Sequence, residues 1–226
     1  MFENLTTAHL ADACVRAGVP VRCASVPPVV PGWRAAGRAL PCVHVGSVDV
    51  FLEAYEAAGP GDVLVVDNGG RSDEACVGDL AVLEARGAGL SGVVIWGLHR
   101  DSADIRAIGL PVFSLGALPT GPQRLDPRPA DGGLVLAAVA GFDVTRGDAV
   151  LADDDGVVVV PFDRAGELTV LAAAIRDTER QQADLVHAGT TLRDQLRFAD
   201  YLARRRTEPD LTFRAHLRSI GGAIEE

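Results

Sequence analysis

Short apolar runs closed by glycine and acid constrain this chain most. GDVLVVD at 61–67, SGVVIW at 91–96 and GVVVVP at 156–161 are rich in β-branched residues. Each is too short for a helix of ordinary length and reads as a buried strand. Alanine, valine and leucine dominate, there are 25 glycines, and aromatics make up only 5%. That composition predicts many short strands joined by tight turns. With 226 residues, 48% of them hydrophobic, the chain is sized for one globular domain, or for one domain with an appendage.

Helix signals lie between the runs. Residues 6–17 read as a helix capped by Thr6 or Thr7 and stopped by Gly18. Residues 20–31 are extended and turn-rich, GRALPCVHV (37–45) is a strand, and residues 47–58 are a helix closed by Gly59-Pro60. Residues 79–88 and 101–108 are helices flanking SGVVIWG, and LPVFSLG (110–116) is a strand. The loop PTGPQRLDPRPADGG precedes a β-rich part made of GLVLAAVAG, DAVLAD and GVVVVP. The segments starting at Gly61-Asp62 and Gly147-Asp148 resemble each other, as either an internal pseudo-repeat of a β unit or recurrent turn chemistry, and the shortness of the match favours the latter. Helices and strands do not alternate regularly enough for a simple doubly wound sheet. From Asp163 onward the pattern is helical: one helix to residue 187, a stop at Gly189, a second helix from Thr190 or Thr191 through Arg205, and a short one ended by Gly221-Gly222. The division expected is therefore a core at 1–162 and a helical arm at 163–226, of the kind that often packs on a neighbouring subunit.

The net charge of −10 argues against binding nucleic acid through a basic surface. Cys14, Cys23, Cys42 and Cys76 have no C-x-x-C spacing, so neither a zinc site nor a redox motif is indicated. They are expected to be small core residues. MFENLTTAHL lacks the pattern of a secretory signal, and no apolar run reaches membrane-spanning length. The expectation is a reduced, cytoplasmic protein.

Candidate chemistry begins at VVDNGGRSDEACVGDL (65–80), where Gly78-Asp79 opens a helix. Backbone N–H groups at such a start attract a carboxylate or phosphate, and glycine permits close approach. Taken alone, this stretch is more simply a glycine turn with Asp79 as a helix-start acid. The spacing adds to it. Twenty residues separate Asp79 from Arg100-Asp101, and two more precede Asp104. A helix, a turn and a strand fit in that interval and would return the strand's end to the helix's start. Asp79, Asp101, Asp104 and Arg100 would then share a pocket. Oxygen ligands of this kind suit Mg²⁺ or Mn²⁺, and an arginine suits a carboxylate or a developing oxyanion.

The pattern Asp79-x20-Arg100-Asp101-x2-Asp104, with PGDVLVVDNGG, GVVIWGLHRD, LPVFSLG and GDAVLADDDGVVVVP around it, resembles the RraA-like family over roughly residues 5–195. More narrowly it resembles the class II pyruvate aldolases, which act on 4-hydroxy-4-methyl-2-oxoglutarate. The resemblance implies an α/β fold with a swivelling β/β/α-type core, assembled as a homotrimer or hexamer with active sites at subunit interfaces. It implies Asp101 as the direct metal ligand, with Asp79 and Asp104 holding the metal's waters. Arg100 would bind the keto oxygen of pyruvate as it becomes an enolate. Backbone N–H groups at Gly78, Asp79, Leu80 and Ala81 would take the carboxylate. The implied reaction is retro-aldol cleavage of a 4-hydroxy-2-oxo acid, with a metal-bound or carboxylate-held water as base. Oxaloacetate decarboxylation releases the same enolate. A Schiff-base mechanism has no residue to use, because lysine is absent.

The family also contains RraA itself, a regulator that binds an RNA-degrading enzyme and lacks the Arg-Asp acid. A non-enzymatic binding protein is therefore the competing reading. Some relatives carry a methyltransferase label, but this chain has no glycine-rich loop for S-adenosylmethionine. His99 either lines the pocket or faces solvent. His44, Ser47 and Asp49 lie near a turn that borders the pocket, whereas His9, His187 and His216 sit in helices and read as ordinary residues. Asp153, Asp154 and Asp155 lack EF-hand spacing and read as a turn.

Overall fold

A computed structural model describes residues 1–221. The chain order is α1 (Thr7–Ala17), β1 (Arg22–Ala24), β2 (Ala35–Val43), α2 (Asp49–Glu56), β3 (Val63–Asp67), β4 (Ala75–Val77), α3 (Asp79–Gly87), β5 (Gly92–Trp96), β6 (Leu98–His99), α4 (Ser102–Ile108) and β7 (Val112–Ser114). Then come β8 (Leu136–Val139), β9 (Phe142–Thr145), β10 (Asp148–Asp153), β11 (Gly156–Pro161) and α5 (Ala165–His187), followed by α6 (Leu192–Gln195), α7 (Phe198–Arg205) and α8 (Phe213–Ile220).

The main sheet runs β1-β11-β10-β2-β3-β5-β7. Strands β2, β3, β5 and β7 pair in parallel, while β1, β11, β10 and β2 pair antiparallel. The sheet is thus mixed, which is why helices and strands do not alternate along the chain. Both of its faces are covered. Along β3, Leu64 and Val66 join a core with Phe51 of α2, Val82 of α3 and Ile105 of α4. Val63 and Val65 point the other way, into a core with Ala137, Val139 and Val144 of the β8–β9 hairpin. Side chains alternate across a strand, so burial on both faces requires a continuous apolar run. That is the physical origin of VLVV and GVVIW.

The two Gly-Asp turns use the same hydrogen bond. Asp62 Oδ2 accepts from Gly59 N at 2.9 Å and Asp148 Oδ2 accepts from Thr145 N at 2.8 Å, each reaching back three residues. Their strands, β3 and β10, flank β2. Gly37 of β2 leaves no room for a side chain, because an added Cβ would run into the Gly61 carbonyl. A backbone obstacle cannot move aside cheaply. Gly37→Ala should therefore cost roughly 3 kcal/mol or more, read as a lower urea midpoint with an unchanged m-value.

Two sequence expectations are corrected. Cys14, Cys42 and Cys76 are buried, but Cys23 is exposed, because it sits on edge strand β1, where alternate residues point outward. The helix expected through Arg205 is broken: Arg197 adopts a left-handed conformation (φ 47°) and separates α6 from α7. Gly221 caps α8 in the left-handed conformation as anticipated, while Gly222 lies outside the described residues.

The chain divides into two compact units, Met1–Thr169 and a second from Val170 onward. The division falls inside α5. A 3-10 turn at Phe162–Arg164 precedes that helix, and Ala165 and Leu168 are buried. In the second unit, Phe198 and Tyr201 of α7 meet Phe213 and His216 of α8 with ring centroids 5.0–5.9 Å apart. No helix among the described residues is long and apolar enough to cross a membrane.

Candidate active site

The site grows from a parallel pairing too short to read in a sequence. In β4 and β6, Ala75 lies beside Leu98 and Val77 beside His99. Arg100 N donates to Val77 O at 2.9 Å. The end of β6 is thereby fixed against the residues that open α3. The sequence spacing of Asp79 and Arg100-Asp101 anticipated this return.

Gly78 is the N-cap of α3, in extended conformation and without a side-chain cap, so its first-turn N–H groups have no intrahelical partner. A Cβ built on Gly78 would lie 2.6 Å from Asp101 Oδ2 and 3.1 Å from Arg100 Nε. Arg100 Nε is in turn 3.3 Å from Asp101 Oδ2. On its other side, Arg100 Nη1 lies 2.8 Å from the Cβ position of Gly121. Asp101 caps α4 in the left-handed region (φ 59°, ψ 41°), a conformation that costs energy for a residue with a side chain.

A cleft of about 300 Å³ opens here. One wall is made of Gly78, Asp79, Leu80, Ala81 and Arg100. The other draws on His44, Gly46, Val48 and Phe51, from the end of β2 through α2. Neither Asp101 nor Asp104 lines the cleft itself; Asp101 Oδ2 faces Gly78, which does, whereas Asp104 lies one helical turn further on. Among the described residues, no three His, Cys, Asp or Glu side chains converge as a metal cluster. The structure thus brings Asp79, Arg100 and Asp101 together around Gly78 and leaves Asp104 at the periphery.

His99 neither lines the cleft nor faces solvent. It is buried, with Nδ1 2.6 Å from Ser114 Oγ and Nε2 2.8 Å from Ser102 Oγ. Burial pushes its pKa down. The imidazole ties β6 to β7 and to the first turn of α4, beside Asp101. Ser47 and Asp49 stand apart from the cleft lining, and Asp49 pairs with Arg128 at 2.9 Å. His9 belongs to the capping box of α1, His187 ends α5, and His216 packs inside the second unit.

His44 does line the cleft. It is buried, stacked on Phe51 at 5.4 Å and 8°, with Nδ1 2.9 Å from Asn68 Oδ1. Arg124 Nη2 donates to the same Oδ1 at 2.9 Å and to His44 O at 3.2 Å, while Arg124 Nε reaches Glu74 at 3.0 Å. Asn68, Glu74 and Arg124 carried no signal in the sequence, because what links them is contact across 24 to 80 positions.

A family model described as RraA-like, Aldolase/RraA, matches residues 7–159. The chain belongs to the RraA-like family. Among its relatives, Protein DlpA of Legionella pneumophila is 30% identical over 84% of this chain, which spans only 31% of DlpA's length. A protein of Aromatoleum aromaticum, provisionally named 4-hydroxy-4-methyl-2-oxoglutarate aldolase, is 36% identical over 58% of this chain and 85% of its own. Other relatives so named are matched over 63% of their length. Among solved structures, Streptomyces coelicolor RraAS2, described as an unusual member of the RNase ES inhibitor RraA protein family, superposes with a TM-score of 0.68. It is 29% identical, over 78% of this chain and 90% of its own. This RraA-like chain has the α/β fold of that family, with α2, α3 and α4 on one face of the sheet and the β8–β9 hairpin on the other.

Proposed function

We propose that this RraA-like protein is a carbon–carbon lyase, a class II pyruvate aldolase that cleaves a 4-hydroxy-2-oxo acid and also decarboxylates oxaloacetate. The observation that carries the reading is the β4–β6 pairing, which sets Arg100 and Asp101 against the uncapped start of α3. The aldolase names of several relatives support it.

The donor set fits a hard divalent cation. It is all oxygen, and the missing Cβ at Gly78 leaves the Asp101 carboxylate uncovered and 36% exposed. Mg²⁺ is commonly held by one or two carboxylates and several waters, so no larger cluster of side chains is needed. Asp101 would be the direct ligand of Mg²⁺ or Mn²⁺, with Asp79 and Asp104 holding its waters. When bound, the cation supplies Lewis acidity toward the 2-oxo oxygen.

The chain's own groups do the rest. N–H groups at 79–81 bind the substrate carboxylate, as helix starts do. Arg100 donates hydrogen bonds to the 2-oxo oxygen as negative charge gathers there. Val48 and Phe51 supply the apolar part of the facing wall, against which the carbon skeleton of the substrate would lie. Residues 1–162 would form the catalytic core, and residues 163–226 an arm within a homotrimer or hexamer, which sedimentation velocity reads directly.

The test is pyruvate release from oxaloacetate and from 4-hydroxy-4-methyl-2-oxoglutarate, with Mg²⁺, with Mn²⁺ and with EDTA, against an enzyme-free blank. Turnover that vanishes in EDTA and returns with either cation is expected. The likeness to RraAS2 favours a second reading, a regulator that binds a protein partner. No turnover above the blank in folded, metal-supplied protein would select it.

A further inference from the structure

The cleft walls carry few side chains able to move a proton. Asp79 and Arg100 belong to the wall built by α3 and the end of β6. Cys76 is excluded, since burial pushes its thiol far up and the thiol leans on Leu98 O at 3.7 Å. His44 remains, on the wall built by β2 and α2.

Its protonation pattern is fixed by its neighbours. Asn68 Oδ1 accepts from Arg124 Nη2, so that atom is an acceptor, and His44 Nδ1 must carry the hydrogen that reaches it. Arg124 is itself held by Glu74 and Asp126. Nε2 is left with its lone pair, on a ring clamped against Phe51. Burial holds the imidazole below the usual histidine value and the Arg124 charge acts the same way, while the Asn68 hydrogen bond, Glu74 and Asp126 oppose them. Asp67 ends the neighbouring strand and accepts from His44 N through its backbone, and α2 presents the uncharged Phe51. The ring is therefore neutral at pH 7, with a single oriented acceptor.

We propose that His44 Nε2 removes the proton from the C4 hydroxyl of a 4-hydroxy-2-oxo acid held in this cleft and returns it to C3. The inference rests on the aldolase reading and replaces the water expected from the sequence as the base. The O–H bond breaks toward Nε2 and C4–O becomes a carbonyl. The C3–C4 electron pair becomes the C2=C3 bond of the pyruvate enolate, with its charge on the oxygen facing Arg100. The imidazolium then gives its proton to C3, yielding pyruvate and neutral His44. Nothing is oxidised or reduced. Oxaloacetate carries a carboxylate at C4, and its C3–C4 bond breaks with loss of CO₂, so no hydroxyl proton has to leave first. His44 is thus required to break one substrate's bond and not the other's.

The experiment compares the two substrates on full-length protein with Mg²⁺, for the wild type, His44→Gln and His44→Ala. The ratio of retro-aldol to decarboxylation kcat/KM should fall by about 10²–10⁴ in both variants, the usual range for a positioned base. Glutamine should not rescue, because it fills the space but cannot take a proton. The wild-type retro-aldol profile should show an acid limb below the ordinary histidine pKa that the decarboxylation profile lacks. A ratio unchanged in both variants would overturn the proposal, since a merely structural histidine moves both reactions together. Coincident wild-type pH profiles would overturn it too, and they decide the matter even where the variants fail to fold. Turnover of neither substrate by the wild type would instead remove the aldolase reading itself.

Discussion

Arg100→Ala is expected to lower kcat/KM for pyruvate release from both substrates by about 10²–10³, with thermal stability almost unchanged. The two effects separate because of where the guanidinium lies. Its side chain is 47% exposed and its partner Asp101 is 36% exposed, so the 3.3 Å pair between them is a surface pair worth about 1 kcal/mol or less to folding. In the reaction the same group meets charge that develops only in the transition state, inside a cleft, where a donor counts for far more. Arg100→Lys should recover little, since an ammonium cannot both pair with Asp101, as Nε does, and extend a second nitrogen into the space left by the missing side chain of Gly121. The companion variant is Asp101→Asn, not Asp101→Ala. Asparagine tolerates the left-handed backbone at φ 59° that alanine would resist, so only the charge is lost. Asp101→Asn should lose activity to a similar degree, and raising Mg²⁺ should recover part of it if the lost charge held the cation. Steady-state kinetics across a magnesium series, beside melting curves, reads both predictions.

Much of the fold was legible because its signals are local. VLVV and GVVIW had to be strands, and the sheet they join is covered on both faces. Thr6 or Thr7 and Gly18 marked the ends of α1, and the structure has a capping box at Thr6 and a left-handed cap at Gly18. The left-handed Arg197 that breaks the C-terminal helix was not legible, since neither glycine nor proline marks it. His99 was misjudged for a related reason. A charged stretch at a strand's end reads as solvated, but β6 pairs with β4, and Ser102 and Ser114 close over the ring. The Asp79, Arg100 and Asp101 spacing was legible because one helix, one turn and one strand connect those residues. The link from His44 through Asn68 to Arg124 depends on loops converging from three parts of the chain, and no periodicity records that.

Gly78→Ala should abolish pyruvate release, by 10² or more in kcat/KM, and change the melting temperature little. Conformation is not the reason, because Gly78 is extended (φ −123°, ψ −173°) and any residue can adopt that geometry. The obstacle is the new methyl group. It would sit 2.6 Å from Asp101 Oδ2 and 3.1 Å from Arg100 Nε, where ordinary contacts begin well beyond 3 Å. Both atoms are on partly exposed side chains that can swing away, so the fold yields at small cost. Swinging away removes the carboxylate and the guanidinium from the start of α3, and a displacement of about 1 Å is enough to cost two orders of magnitude in rate. A structural glycine behaves in the opposite way: Gly37, opposed by the Gly61 carbonyl, loses stability first. Measuring urea midpoints and turnover for both glycine variants therefore separates two roles for one residue type. If Gly78→Ala kept full activity, the proximity of Gly78, Arg100 and Asp101 would be incidental to the chemistry, and the reactive centre would have to lie elsewhere in the cleft.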